Sequence, residues 1–188
     1  MKTKMKLLFI MICLCIIVGI CVYVLKQKNK SFDSIQDLTV NEFGYLPLES
    51  IPDDYTIEKA VMNGAVNLSF GGIDNKDRFI DFFNNVYKNN ETMIRIIQYT
   101  TEGEPVYTDI VFHSGNHQDP FFEYKEKNNP VELYDFLITY EGEIYLSNET
   151  EYNQYSDTQP FCFTARDIDE NIWDDSLLVI EKIMKKSK

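Results

Sequence analysis

Leu7 to Leu25 form an uncharged run of nineteen residues, preceded by Lys2, Lys4 and Lys6 and followed by Lys26, Lys28 and Lys30. As a helix rising about 1.5 Å per residue, such a run spans roughly 28 Å, close to the ~30 Å of hydrocarbon in a bilayer. The expectation is one N-terminal transmembrane helix with everything after it held at a membrane surface. A cleaved secretory signal has an apolar stretch of about 7–15 residues and a small-residue exit, whereas Val22, Tyr23, Val24 and Leu25 are bulky. An uncleaved anchor fits better. Cys21, with Val18 and Gly19 upstream, is the candidate for lipidation, although Ile20 is larger than the residue a lipobox places there. With three lysines on each side the charge bias is balanced. A first segment usually sets the topology and long C-terminal domains are translocated largely regardless of charge, so the N-terminus is expected inside the cell. That makes a single-pass cell-membrane protein with an extracytoplasmic C-terminal domain.

Residues 31–188 contain all thirty Asp and Glu but only twelve of the eighteen Lys and Arg, a net charge of −18. Nucleic acids and anionic lipid surfaces bind through Lys and Arg, so both are poor partners for this portion. Only Cys162 of the four cysteines lies beyond the apolar run, which excludes a disulfide within the exported part. Its 158 residues are enough for one core without staples.

The segment 31–53 is polar, carries Pro47 and Pro52, lacks periodicity and reads as a stalk between the anchor (1–30) and a single acidic domain (54–188). Thr56 is placed to cap a short helix that Asn63-Gly64 ends. Val66, Leu68 and Phe70 alternate as a strand, stopped at Gly71-Gly72. Asp74 or Asn75 would cap the next helix, where Phe79, Phe82, Phe83 and Val86 fall at i, i+3, i+4 and i+7 and mark a core-facing stripe. Met93 to Thr101 and Val106 to His113 are rich in β-branched residues, and Glu102-Gly103-Glu104-Pro105 lies between them, the pattern of an antiparallel hairpin. Strand-like pieces follow at Phe121–Tyr124, Leu133–Tyr140, Ile144–Leu146 and Phe161–Thr164, with Ser147 to Pro160 read as a loop. Trp173 to Lys186 is predicted to be a helix with Leu177, Ile180, Ile183 and Met184 on its apolar face. The predicted class is α+β: an antiparallel β-sheet of about five or six strands in a meander, packed by two main helices and preceded by the transmembrane helix.

The segment Tyr55 to Tyr124 resembles a bacterial family of small exported proteins, often lipoproteins, called domain of unknown function 4362. Its motif runs approximately R-I-x-Q-Y-T-x-E-G-D-P-I followed by an acidic residue. Arg95, Ile96, Gln98, Tyr99, Thr100, Glu102, Gly103, Glu104, Pro105, Val106 and Asp109 stand at the matching positions. The resemblance implies an outward-facing domain and no particular activity.

Arg95, Gln98, Tyr99, Glu102, Glu104 and Asp109 crowd polar groups around the hairpin, where cross-strand neighbours lie within reach of each other; they read either as a small binding surface or as a salt-linked, hydrogen-bonded hairpin whose polar face meets water or steadies the turn. Glu102 and Glu104 are expected on an exposed loop, where neither gains the raised pKa a general acid needs. His113, His117 and Asp119 are a candidate metal grouping, although Ser114-Gly115-Asn116 between the histidines is a turn and not the helix of a zincin. Asp167, Asp169 and Asn171 open like a calcium loop, but Ile172 and Leu178 occupy the positions that need Gly and the bidentate Glu. Cys162 lies between two phenylalanines with no base nearby and reads as a buried structural thiol. No Walker, dinucleotide or nucleophile-elbow pattern occurs, and no cofactor is expected. The function expected is a non-enzymatic binding or interaction module of a bacterial envelope, whose partner is an unknown envelope protein or ligand. The alternatives are a metal-responsive or metal-buffering envelope protein and, further off, a wall-polymer hydrolase.

Overall fold

The computed structural model describes residues 40–52, 54–69, 72–115, 119–155, 157–162 and 170–186. The apolar run Leu7 to Leu25, with Cys21, lies outside them. Among the described residues no helix is long and apolar enough to cross a membrane.

A 3-10 turn at Leu48–Ser50 is followed by α1 (Ile57–Met62), β1 (Val66–Ser69), β2 (Gly72–Asp74), α2 (Lys76–Tyr87), β3 (Thr92–Tyr99) and β4 (Pro105–His113). Then come β5 (Phe121–Glu126), β6 (Glu132–Tyr134), β7 (Phe136–Tyr140), β8 (Glu143–Ser147), β9 (Thr158–Pro160) and α3 (Glu170–Lys186). The α+β class holds, with two long helices and the short α1. Six strands form one sheet in the order β2-β1-β3-β4-β5-β6, and β7-β8-β9 form a second.

The larger sheet is mixed, not purely antiparallel as the sequence suggests, because β1 pairs parallel to β3 through Val66↔Ile96. Parallel neighbours need a long crossover, and β2 with α2 supplies it. From β3 to β6 the chain is the expected meander. The strand read as Leu133–Tyr140 breaks at Asp135, where the chain leaves the first sheet for the second. Among the described residues the last strand is Thr158–Pro160, inside the expected loop; of the expected strand Phe161–Thr164, Phe163 and Thr164 lie outside the described residues.

Period-2 alternation divides the sheet into two faces. On one, Ile94, Ile96, Ile110 and Phe112 join the Phe79, Phe82, Phe83 and Val86 stripe of α2 in the main core. Phe161 enters that stripe from the second sheet, 5.0 Å between centroids from Phe83 and 5.7 Å from Phe82. Cys162 is buried beside it, as expected for a structural thiol.

On the other face lie Met93, Arg95, Ile97, Tyr107 and Asp109, and the chain from Val40 to Tyr55 crosses them. The compact unit begins at Val40, so residues 40–52, read as stalk, belong to the fold, with Tyr45, Leu46, Leu48 and Ile51 all buried. This strap is shaped locally. Asn41 Oδ1 accepts the amides of Phe43 and Tyr45 at 3.1 and 2.9 Å, an Asx turn that leads into the 3-10 turn after Pro47.

Thr56 caps α1, its hydroxyl accepting from the Lys59 amide at 3.4 Å. Asn75 holds the first cap position of α2, but its side chain does not accept from the helix. Its amide instead donates to the carbonyls of Val61 and Ala65, at 2.7 and 2.8 Å, and ties the end of α1 to the start of β1.

Candidate functional site

Arg95 and Asp109 are direct partners in the β3–β4 register. The Arg95 guanidinium donates to both carboxylate oxygens, Nε at 2.6 Å and Nη2 at 2.7 Å, a bidentate pair with only 3% of Arg95 exposed. Nη2 also donates to the Leu46 carbonyl at 2.6 Å, and Cζ lies 5.1 Å from the Tyr45 ring centroid. Burial pushes the Asp109 carboxyl above its ordinary value, and the hydrogen bonds from Arg95 oppose that push. The pair therefore spends its hydrogen-bonding capacity on the fold, clamping the strap onto the sheet.

The other residues of the expected binding surface are dispersed. Gln98, in register with Val106, lies on the opposite face from Arg95. Its Nε2 is buried without a hydrogen-bond partner among the described residues. The Tyr99 hydroxyl donates to Asn67 Oδ1 at 2.9 Å, and Asn67 donates on to Asp74 at 2.9 Å. Burial, with Asp74 and Glu58 nearby, raises the Tyr99 phenol. Glu102 and Glu104 are exposed in a loop closed by Thr100 and Gly103. Four residues of strand, roughly 13 Å, separate Arg95 from Tyr99 at the start of that loop. The expected cluster is thus a buried clamp, a small polar network and a solvated loop.

His113 is half-buried, with Nδ1 3.5 Å from Glu91 and Nε2 3.4 Å from Glu123, and its ring stacks on Phe121 at 4.5 Å. Asp119 is exposed and His117 lies outside the described residues. Among the described residues no three His, Cys, Asp or Glu side chains are grouped to hold a metal ion. Asp167 and Asp169 of the calcium-like stretch also lie outside them.

A cavity of about 240 Å³ opens on the helix side of the sheet, where the last turn of α2, the ends of β4 and β5, the start of β7 and the last turns of α3 meet. Val86, Phe112, Phe122, Leu137, Ile138 and Ile183 form its apolar wall. Lys88, Asn89, Asp135 and Thr150 stand at its mouth, all exposed. A second, shallower groove of about 270 Å³ runs along the strap, lined among others by Phe43, Leu48, Met93, Lys125 and two of the expected site residues, Asp109 and His113. Lys125, paired with Glu49 of the strap, crosses it.

Each wall residue of the cavity reads in sequence as ordinary core. The opening exists because Asp135 sends β7 away from β6, so that α2 and the two sheets diverge there. A strand break at an exposed Asp between Tyr134 and Phe136 was the one available signal.

Fold and cavity together define a class: an α+β domain with one sheet face crossed by its own strap and an apolar recess on the other side. Residues 63–121 match the family model described as Domain of unknown function (DUF4362), which is the resemblance read from the hairpin. The matched span runs from the end of α1 to the first residue of β5. No curated protein and no solved structure matches the chain.

Proposed function

We propose that this chain is a membrane-anchored, extracytoplasmic, non-enzymatic binding module of a bacterial envelope, and that it binds through the apolar cavity and not through the hairpin. The cavity carries this reading. An open recess with apolar walls and a few polar groups at its mouth is the usual form of a small-molecule site. Anchoring rests on the Leu7 to Leu25 run and its flanking lysines. The strap supports it mechanically: residues 40–52 lead from the N-terminal segment into the sheet and are held there by Arg95, by Lys127 on the Ile51 carbonyl and by Tyr45 on the Gly64 carbonyl.

Native mass spectrometry of the full chain extracted from membranes tests the binding half. A co-purified small molecule is expected, and it should be absent from Thr150→Trp, which places an indole at the mouth without touching the core. Identical spectra of unliganded protein from both would remove the binding reading. Protease added to intact spheroplasts tests the location: the acidic domain should be digested, and its protection until lysis would overturn an extracytoplasmic domain.

A further inference from the structure

We infer that the cavity takes an uncharged, compact ligand with a predominantly hydrocarbon body of one to two rings; this rests on the binding role proposed above. Size bounds the ligand first. About 240 Å³ is roughly one and a half times the ~150 Å³ apolar cavity that accepts a benzene ring. A fused two-ring system is enclosed by that space, whereas only part of a long acyl chain would be.

Wall chemistry sets the body. Phe112 and Phe122 meet at 5.1 Å with their planes tilted by 46°, and with Leu137, Ile138 and Ile183 they surround the ligand with carbon. Such walls favour aromatic edges and faces, which pack against tilted rings at this spacing. They offer no compensation for a buried charge.

The mouth decides the charge. It carries one cation, Lys88, and one anion, Asp135, both exposed and both free to keep their own hydration. Lys88 also sits at the C-terminal end of α2, where it offsets the negative end of the helix dipole. The entrance is thus close to neutral, while the domain around it is strongly acidic and repels anions at long range. A neutral ligand meets neither a desolvation cost nor a repulsive field. A short polar substituent can reach Asn89 or Thr150 at the rim.

Three probes with the same ring system and different charge separate these terms: indole, the anion indole-3-acetate and the cation tryptamine. Each is titrated into the full chain in detergent, followed by calorimetry and by melting temperature. Indole is expected to bind saturably and to raise the melting temperature, with indole-3-acetate at least about tenfold weaker and tryptamine between them. Thr150→Trp should abolish the indole response while melting like the parent without ligand. Tighter binding of either ion than of indole overturns the inference and, if Thr150→Trp blocks it, leaves the cavity as a binding site of a different class. No response to any probe also overturns it. The absence of a co-purified molecule sensitive to Thr150→Trp would then remove the binding role as well.

Discussion

Arg95 and Asp109 face each other across the β3–β4 pair, joined by two hydrogen bonds of 2.6 and 2.7 Å, and the third bond of the guanidinium holds the Leu46 carbonyl of the strap. Three parts of the chain meet at one side chain, with the Leu46 carbonyl 49 residues before Arg95 and Asp109 14 after it. A single substitution here therefore acts on the strap as well as on the hairpin.

Replacing Arg95 by Ala leaves a buried carboxylate without its partner, a change that costs about 3–5 kcal/mol in comparable pairs. Asp109→Asn is expected to be milder than Asp109→Ala, because the amide oxygen still accepts one hydrogen bond from the guanidinium. The double change Arg95→Met with Asp109→Leu should recover much of the loss, since no charge remains to be desolvated. Chemical denaturation of the full chain in detergent measures all four. Near-additive losses in the double variant would show that the two side chains act independently.

Phe161, just after β9, packs into the α2 stripe, lying 5.9 Å from Phe79 as well as close to Phe82 and Phe83, and joins Leu137, Ile144 and Leu146 of the second sheet in the shared core. Phe161→Ala should cost about 3–5 kcal/mol, the range for truncating a fully buried aromatic ring. Phe161→Leu should recover a large share of it, because most of the apolar volume returns. If the alanine variant melts within a degree of the parent, the second sheet is not held by this ring.

Where neighbours in sequence decide the structure, the sequence was readable. The Phe79, Phe82, Phe83 and Val86 spacing describes a helix buried on one side, and all four are 5% exposed or less. The hairpin reads as Met93–Thr101 and Val106–His113 around Glu102–Pro105, and the structure pairs Thr92–Tyr99 with Pro105–His113, within two residues at each end. Alternation, however, assigns a strand to a face and is silent on its partner, so the parallel β1–β3 pairing was out of reach. It also cannot say whether a face is open. Arg95 and Asp109 read in sequence as cross-strand neighbours and are salt-linked in the structure, but the burial of Arg95 comes from the Tyr45 ring and the Leu46 carbonyl, which belong to a segment with no readable periodicity. The sequence offers Asp74 or Asn75 as the cap; Asn75 holds the position, yet its amide donates to Val61 and Ala65, a choice that depends on where α1 ends. The cavity has no sequence signature because its walls are the same residue types that fill the core.

Gly64 ends α1 at a φ of +92°, and a Cβ placed there would sit 2.6 Å from Arg78 Cζ. The backbone term alone disfavours an L side chain by about 1–2 kcal/mol. Arg78 is exposed and its end can swing away, so the steric part is the smaller of the two. Gly64→Ala should therefore destabilise by about 1–2 kcal/mol, with Arg78→Ala in the same chain relieving little of it. Full recovery in that double variant would mean that contact, and not backbone conformation, sets the requirement for glycine.

Tyr124 and Tyr134 sit on adjacent strands with their hydroxyls donating to Glu126 and Glu132 at 3.0 and 2.6 Å. Burial, followed by these carboxylates, holds both phenols far above the ordinary tyrosine range. The unfolded chain sheds a tyrosine proton near pH 10, while the folded chain keeps it on Tyr124 and Tyr134. Above pH 10 the folded state therefore binds more protons than the unfolded one, and stability falls as pH rises; below pH 10 both states are protonated and the contribution is fully present. Phenolate absorbance should accordingly rise in two stages on alkaline titration, with Tyr124 and Tyr134 contributing to the second, only as the fold is lost. In Glu126→Gln and Glu132→Gln the carboxylate part of the shift is removed, so the second stage should move to lower pH while the first stays in place. A single reversible transition that includes all tyrosines with the fold intact would mean that these phenols are not held neutral by their surroundings.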